Sequence, residues 1–128
     1  MLNSGGGHRR GMPDARFAIV DERKIAYYLL SSNHPAGRAK AAFFRRFGFR
    51  LRSWRGLRDA LLNHAYTAEI VAIAETEFGT KYITKYILSG PLTSPDGRNP
   101  NVCSVRFVAM GDTASRLVTA YPVSEGSR

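Results

Sequence analysis

Lys40 stands where a charged residue is out of place. At about 100° per residue, Ala36, Lys40, Phe43, Phe44 and Phe47 share one stripe of a helical segment, while Arg38, Arg45 and Arg46 lie on the other side. Two roles suit an ammonium there. Its aliphatic stem can pack while the head reaches water past the edge, or the lysine can point into a cleft and stabilise charge developing on a phosphorane. His34 precedes the same segment, near the positive end of the helix, where backbone amides attract phosphate and an imidazole can shuttle a proton. The string Asn33-His34-Pro35 serves equally well as a turn whose histidine packs.

The last apolar stretch, SRLVTAYPV, puts Leu117, Thr119 and Tyr121 on one strand face and Arg116, Val118 and Ala120 on the other. Thr119 and Tyr121 are ordinary strand residues unless that face lines a cleft, where a hydroxyl can hold a phosphate oxygen. Arg116 reaches the same ligand only from the strand end or through a bulge. Lys81, Lys85 and Arg98 add positive charge to this half of the chain, and Tyr82 and Tyr86 suit either base stacking or packing. His64 falls near the border of an inward stripe that includes Trp54 and Leu57. A satisfied histidine at the core edge is the plainer reading, and a secondary position in the site is the other.

No metal motif accompanies these residues: the histidines are far apart, and Asp14, Glu69, Glu75, Glu77 and Asp96 are scattered. No serine-nucleophile motif, phosphate-binding loop, dinucleotide fingerprint or calcium loop is present. No cofactor is implied. Nuclease chemistry without a metal needs a ribose 2′-hydroxyl as internal nucleophile, which excludes DNA as substrate.

Three helices are expected to carry the first group. Asp21-Glu22 opens KIAYYLL, with Ile25, Tyr28 and Leu29 on one apolar face. A second helix runs from about Pro35 to Phe47, with Pro35 in its first turn and Gly48 as its stop. Ser53 can cap a third, running to about Ala65, with Trp54, Leu57 and Leu61 inward. After Tyr66 the pattern changes to four runs rich in Val, Ile, Thr, Tyr and Phe, divided by Phe78-Gly79, SPDGRNP and MGDTAS. Helices first and strands afterwards predict an α+β domain, about three N-terminal helices packed on a four-stranded antiparallel sheet. The glycine-rich start is expected to be a flexible leader over residues 1–15, followed by a single domain over 16–128.

The 128 residues suffice for one domain with a real core. The lone Cys103 excludes an internal disulfide. No apolar run approaches the roughly 20 residues that span a bilayer, and no signal segment opens the sequence. The net charge is +9, with a pI near 10.3. All of that excess lies in residues 1–59, which hold 13 Lys and Arg against 4 acids, whereas residues 60–128 hold 6 against 6. Between Gly37 and Arg58 there are eight basic side chains and no acid. A patch of one sign concentrates phosphate-bearing ligands. It fits RNA, with Arg38, Arg45, Arg46, Arg50, Arg52, Lys81, Arg98 and Arg116 as contacts, and it also fits an acidic protein.

The strings NHPAGRAKAAFFRRFGF, FGTKY, SPDGRNP and SRLVTAYP together resemble a bacterial domain of unassigned function found alone and at the C-termini of polymorphic toxins. The resemblance covers roughly Lys24 to Val123. Helices followed by a curved antiparallel sheet are also similar to the barnase, EndoU, colicin and RelE group of toxin ribonucleases, a likeness of fold. It draws attention to His34, Gly37, Lys40, Lys81, Arg116, Thr119 and Tyr121. It implies metal-independent cleavage of RNA, tRNA among the substrates, in the cytoplasm of the producing cell or of a target cell when the domain is part of a larger toxin. It also implies a cognate acidic antitoxin or immunity protein, and no membrane. The family pattern favours Trp where this chain has Arg106, and an added arginine there would suit RNA. The alternatives are a non-catalytic RNA-binding or translation-regulating module and a basic protein-interaction domain.

Overall fold

The β-branched and aromatic runs form strands close to their expected limits. The computed structural model describes residues 9–35 and 37–123. In chain order they form β1 (Arg9–Arg10), α1 (Glu22–Lys24, continuing as one π turn over Ile25–Leu29), α2 (Arg38–Arg46), α3 (Trp54–Thr67), β2 (Glu69–Phe78), β3 (Lys81–Pro91), β4 (Asn101–Ala109) and β5 (Arg116–Pro122). Strand order follows chain order, and every neighbouring pair is antiparallel. The architecture is thus α+β, with three helices on an antiparallel sheet of four long strands. The two-residue β1 extends that sheet at the β2 edge.

The helices cover one face of β3, β4 and β5, whereas the described side chains of β2 are half-buried or exposed. Ile25, Leu29, Phe44, Leu57 and Leu61 meet Val102, Leu117 and Ala120 in the main core. A second cluster joins Met12, Ala65, Ala68 and Leu88, with Tyr86 and Val108 packed against it. Met12 belongs to the expected leader, which is therefore shorter than residues 1–15. The Gly11 N–H donates to Ala68 O at 2.7 Å and the Met12 N–H to Ala65 O at 2.6 Å, so these two residues are tied to the end of α3. Residues 1–8, which include His8, and residues 124–128 lie outside the described residues, as does Ala36 of the apolar stripe.

Local departures from the expected elements have identifiable causes. α2 begins at Arg38 rather than Pro35, because His34 to Gly37 form a turn closed by Gly37 N–H to His34 O at 3.0 Å. Gly48 ends the helix as expected, with φ +104°, a region that favours glycine. Ser53 does stand before α3, but its side chain makes no cap, since a 3₁₀ turn over Leu51–Ser53 leads straight into the helix. Leu57 and Leu61 are fully buried, while Trp54 is half-buried beneath the guanidinium groups of Arg55 and Arg58. Among the described residues, no helix is long and apolar enough to cross a membrane.

Candidate functional site

Tyr28 is the residue around which the site assembles. It shares the apolar face with Ile25 and Leu29, both of which are fully buried. There the chain widens into a π turn, closed by Leu30 N–H to Ile25 O at 2.9 Å. Such turns insert a residue into the helical register and re-aim the side chains around it. The Tyr28 ring packs against the core, and its hydroxyl reaches past the edge.

That hydroxyl joins three elements. Lys40 Nζ, from α2, donates to Tyr28 Oη at 2.8 Å, and Thr119 Oγ1, from β5, lies 3.3 Å from the same oxygen. Either hydroxyl can donate in the Tyr28–Thr119 contact, and only with Thr119 donating does that bond favour the phenolate. His34 stands edge-on to the Tyr28 ring, with centroids 5.1 Å apart, and the Lys24 and Lys40 ammonium groups lie 5.4 and 5.1 Å from the ring centre. Burial opposes ionisation of Tyr28, but the hydrogen bonds with Lys40 and Thr119 and the charges of Lys40 and Lys24 outweigh it. The phenol is held below its ordinary pKa of 10.0.

Two backbone features make the convergence feasible. Gly37 lies so close to Tyr28 O that a Cβ there would collide with it, so α2 approaches α1 only with glycine at this position. In β5, Thr119 pairs with Val105 but Leu117 pairs with Arg106, which makes Val118 an extra residue, a bulge. The strict alternation expected from Leu117 to Tyr121 is therefore corrected. Leu117 and Ala120 enter the core, whereas Thr119 and Tyr121 pair with Val105 and Cys103.

The other expected residues divide. Tyr121 is half-buried beside Cys103, and burial first, then Cys103, raises its phenol pKa. Arg38, Arg46, Arg50 and Arg52 are exposed and Arg45 is half-buried, on and just after α2. Arg50 also closes the turn there, donating to Arg45 O and Phe49 O. Arg46 and Arg98 line one cavity with Phe43 and Phe47. Arg116 is exposed at the start of β5, about 10 Å along the strand from Thr119. Lys81 sits at the far tip of the β2–β3 hairpin, about 20 Å along the sheet from the level of Thr119. Among the described residues, no group of three or more His, Cys, Asp or Glu could hold a metal ion.

His64 and Arg106 belong to the interior. His64 is fully buried, with Nε2 3.1 Å from Gly90 O and Nδ1 2.9 Å from Ser104 Oγ. A carbonyl can only accept, so Nε2 carries the proton and Nδ1 accepts from the serine. Burial chiefly, helped by the charge of Arg106, lowers its pKa to about 4, which keeps the ring neutral. Arg106 is fully buried too, donating to Leu61 O at 2.7 Å and to Ser104 Oγ at 3.2 Å, and burial pushes its pKa down to about 10. The expectation that Arg106 would serve RNA is overturned: it ties β4 to α3 under the helices. Among the described residues its Nη1 has no hydrogen-bond partner.

Tyr28 is the site residue that sequence reasoning missed. The signal was there in KIAYYLL, where the tyrosine lies one helical length ahead of Lys40, but an α-helical period assigns it to packing. A family model described as a domain of unknown function, DUF6883, matches residues 11–124. No curated protein and no solved structure matches the chain.

Proposed function

The chain belongs to the DUF6883 family, and from that premise we propose that it is a metal-independent endoribonuclease. The observation that supports this reading is the meeting of Lys40 and Thr119 on the Tyr28 hydroxyl, beside His34 and an exposed run of arginines. In the proposed reaction His34 takes the proton of a ribose 2′-hydroxyl as its oxygen attacks the adjacent phosphorus. Tyr28 returns a proton to the departing 5′-oxygen, so a 2′,3′-cyclic phosphate and a 5′-hydroxyl form without water. Lys40 offsets charge on the pentavalent phosphate and on the phenolate left behind. Thr119 positions Tyr28 or a phosphate oxygen, with Tyr121 two residues along the strand. Arg38, Arg45, Arg46, Arg50 and Arg52 hold the flanking backbone.

An acidic antitoxin or immunity protein is the partner that such a basic face would need, and the cytoplasm, of this cell or of a target cell, is where RNA would be met. Total RNA incubated with the full chain should be shortened by the parent. His34→Ala and Lys40→Ala should each cut the rate by at least about 100-fold, the usual range for a lost acid–base or charge-stabilising group. Parent-like degradation by both variants ends the proposal. RNA that is bound with steep salt dependence but never cut transfers the same surface to a non-catalytic module.

A further inference from the structure

The apolar stripe of α2 has two destinations. Phe44 is fully buried in the core, whereas Phe43 and Phe47 remain half-buried and form one wall of a cavity of about 770 Å³. The opposite wall comes from Arg98 and Asn99 of the loop between β3 and β4 and from Asn101 at the start of β4, and the end of β5 closes it. Phe43 lies one helical turn after Lys40, with the two Cβ positions about 6 Å apart. Tyr28, Lys40 and Thr119 do not line the cavity; it begins one turn further along α2 at Phe43, and Pro122 stands about 10 Å along β5 from Thr119.

We infer that this cavity is a nucleobase subsite for the nucleotide beside the scissile phosphate, an assignment that rests on the proposed RNA cleavage. Its walls offer what a base requires. The Arg98 guanidinium already lies over the Phe47 ring, 4.4 Å from its centre, so one flat cationic group stacks at this wall and a second planar group can stack on Phe43. Arg98 is fixed there by Nη2 donating to Arg46 O at 2.6 Å and Nε donating to Asp96 at 2.7 Å. The edge of a base would meet carboxamides. Asn99 Oδ1 is committed to the Ser94 N–H at 2.9 Å, so Asn99 offers its NH₂ group, while Asn101 can both donate and accept. Arg46 supplies the charge for a phosphate at the rim. A purely apolar cavity would suit a lipid or an apolar side chain; stacked planes beside amides suit a base.

The test titrates the full chain with AMP, GMP, CMP, UMP and inorganic phosphate, following cavity resonances by NMR. At least one nucleotide should bind roughly tenfold more tightly than phosphate, the scale of one stacked base. Asn101→Ala, at an exposed position, should erase the differences among the four bases. Phe43→Leu, which removes the ring on which the base would stack, should weaken the preferred nucleotide several-fold. Equal shifts for all five ligands, or shifts that leave the cavity untouched, overturn the subsite. The two ideas fail separately. Base-selective binding with no RNA cleavage sinks the nuclease and keeps the subsite. Cleavage whose sequence pattern is unchanged in Asn101→Ala sinks the subsite and keeps the nuclease.

Discussion

Tyr28 loses hydration where its ring packs on the core, which taken alone would raise its pKa. Two lysines and two hydrogen bonds reverse that sign. A titration followed by tyrosinate absorbance should therefore show one of the six tyrosines ionising below the ordinary range, and Tyr28→Phe should remove that step. Lys40→Met should move it upward, because burial would then act with less opposition; a step unmoved by Lys40→Met would show that the lysine does not act on the phenol. If Tyr28 is the general acid, the rate of RNA cleavage must fall on the alkaline side as the same step is crossed. His64 gives the opposite dependence, on stability. Its folded pKa of about 4 lies below the 6.5 of an unfolded histidine, so from pH 6.5 downward the unfolded chain gains a proton that the folded chain refuses. Stability should drop between pH 6.5 and about 4, by up to about 3 kcal/mol from this group, and level off below. Denaturant unfolding across that range should lose most of this slope in His64→Gln relative to the parent.

At the scale of elements, the site depends on how closely α2 is pressed against α1. Gly37→Ala must push against a backbone carbonyl, which cannot rotate aside, so it should destabilise the fold by about 1–3 kcal/mol and separate Lys40 from Tyr28. Gly56 is the control. Nothing lies within 4 Å of a Cβ there, within α3, and Gly56→Ala should stabilise by about 0.5–1 kcal/mol. Thermal unfolding of the pair reads both signs; equal losses at the two sites would mean that contact with Tyr28 is not what Gly37 provides. The same elements show what the sequence disclosed. The four long strands and three helices followed from period, composition and turn residues. Lys40 stood out because it broke a stripe. The π turn and the Val118 bulge did not show, since each is a one-residue slip that leaves composition untouched and shifts only the period. The facing of Thr119 depended on the second of these slips. Arg106 was misjudged for another reason: a strand arginine gives no sign of burial until the helix above it is known, here through Leu61 O.

Across the whole molecule, the charge is not spread evenly over the surface. Eight of the thirteen basic residues of 1–59 lie on α2, on α3 and in the segment between them, while the second half of the chain is balanced and Arg106 is withdrawn into the core. A single strand that binds this molecule should therefore lie along α2 and the turn after it, rather than along the hairpin of β2 and β3. Counterion release makes that testable, because each phosphate neutralised on a single strand contributes about 0.7 to the slope of log affinity against log salt. Arg38→Ala and Arg52→Ala should each reduce the slope by about that amount. Lys81→Ala, at the hairpin tip, should leave it unchanged although it removes the same unit of charge. Fluorescence anisotropy with a labelled oligoribonucleotide, read at several salt concentrations, separates the two cases. Equal effects at all three positions would mean that only net charge matters, and the helical face would then have no privileged claim on the strand. A loss confined to Arg38 and Arg52 would place the backbone beside Lys40, at the end of the molecule where Tyr28 and Thr119 already meet.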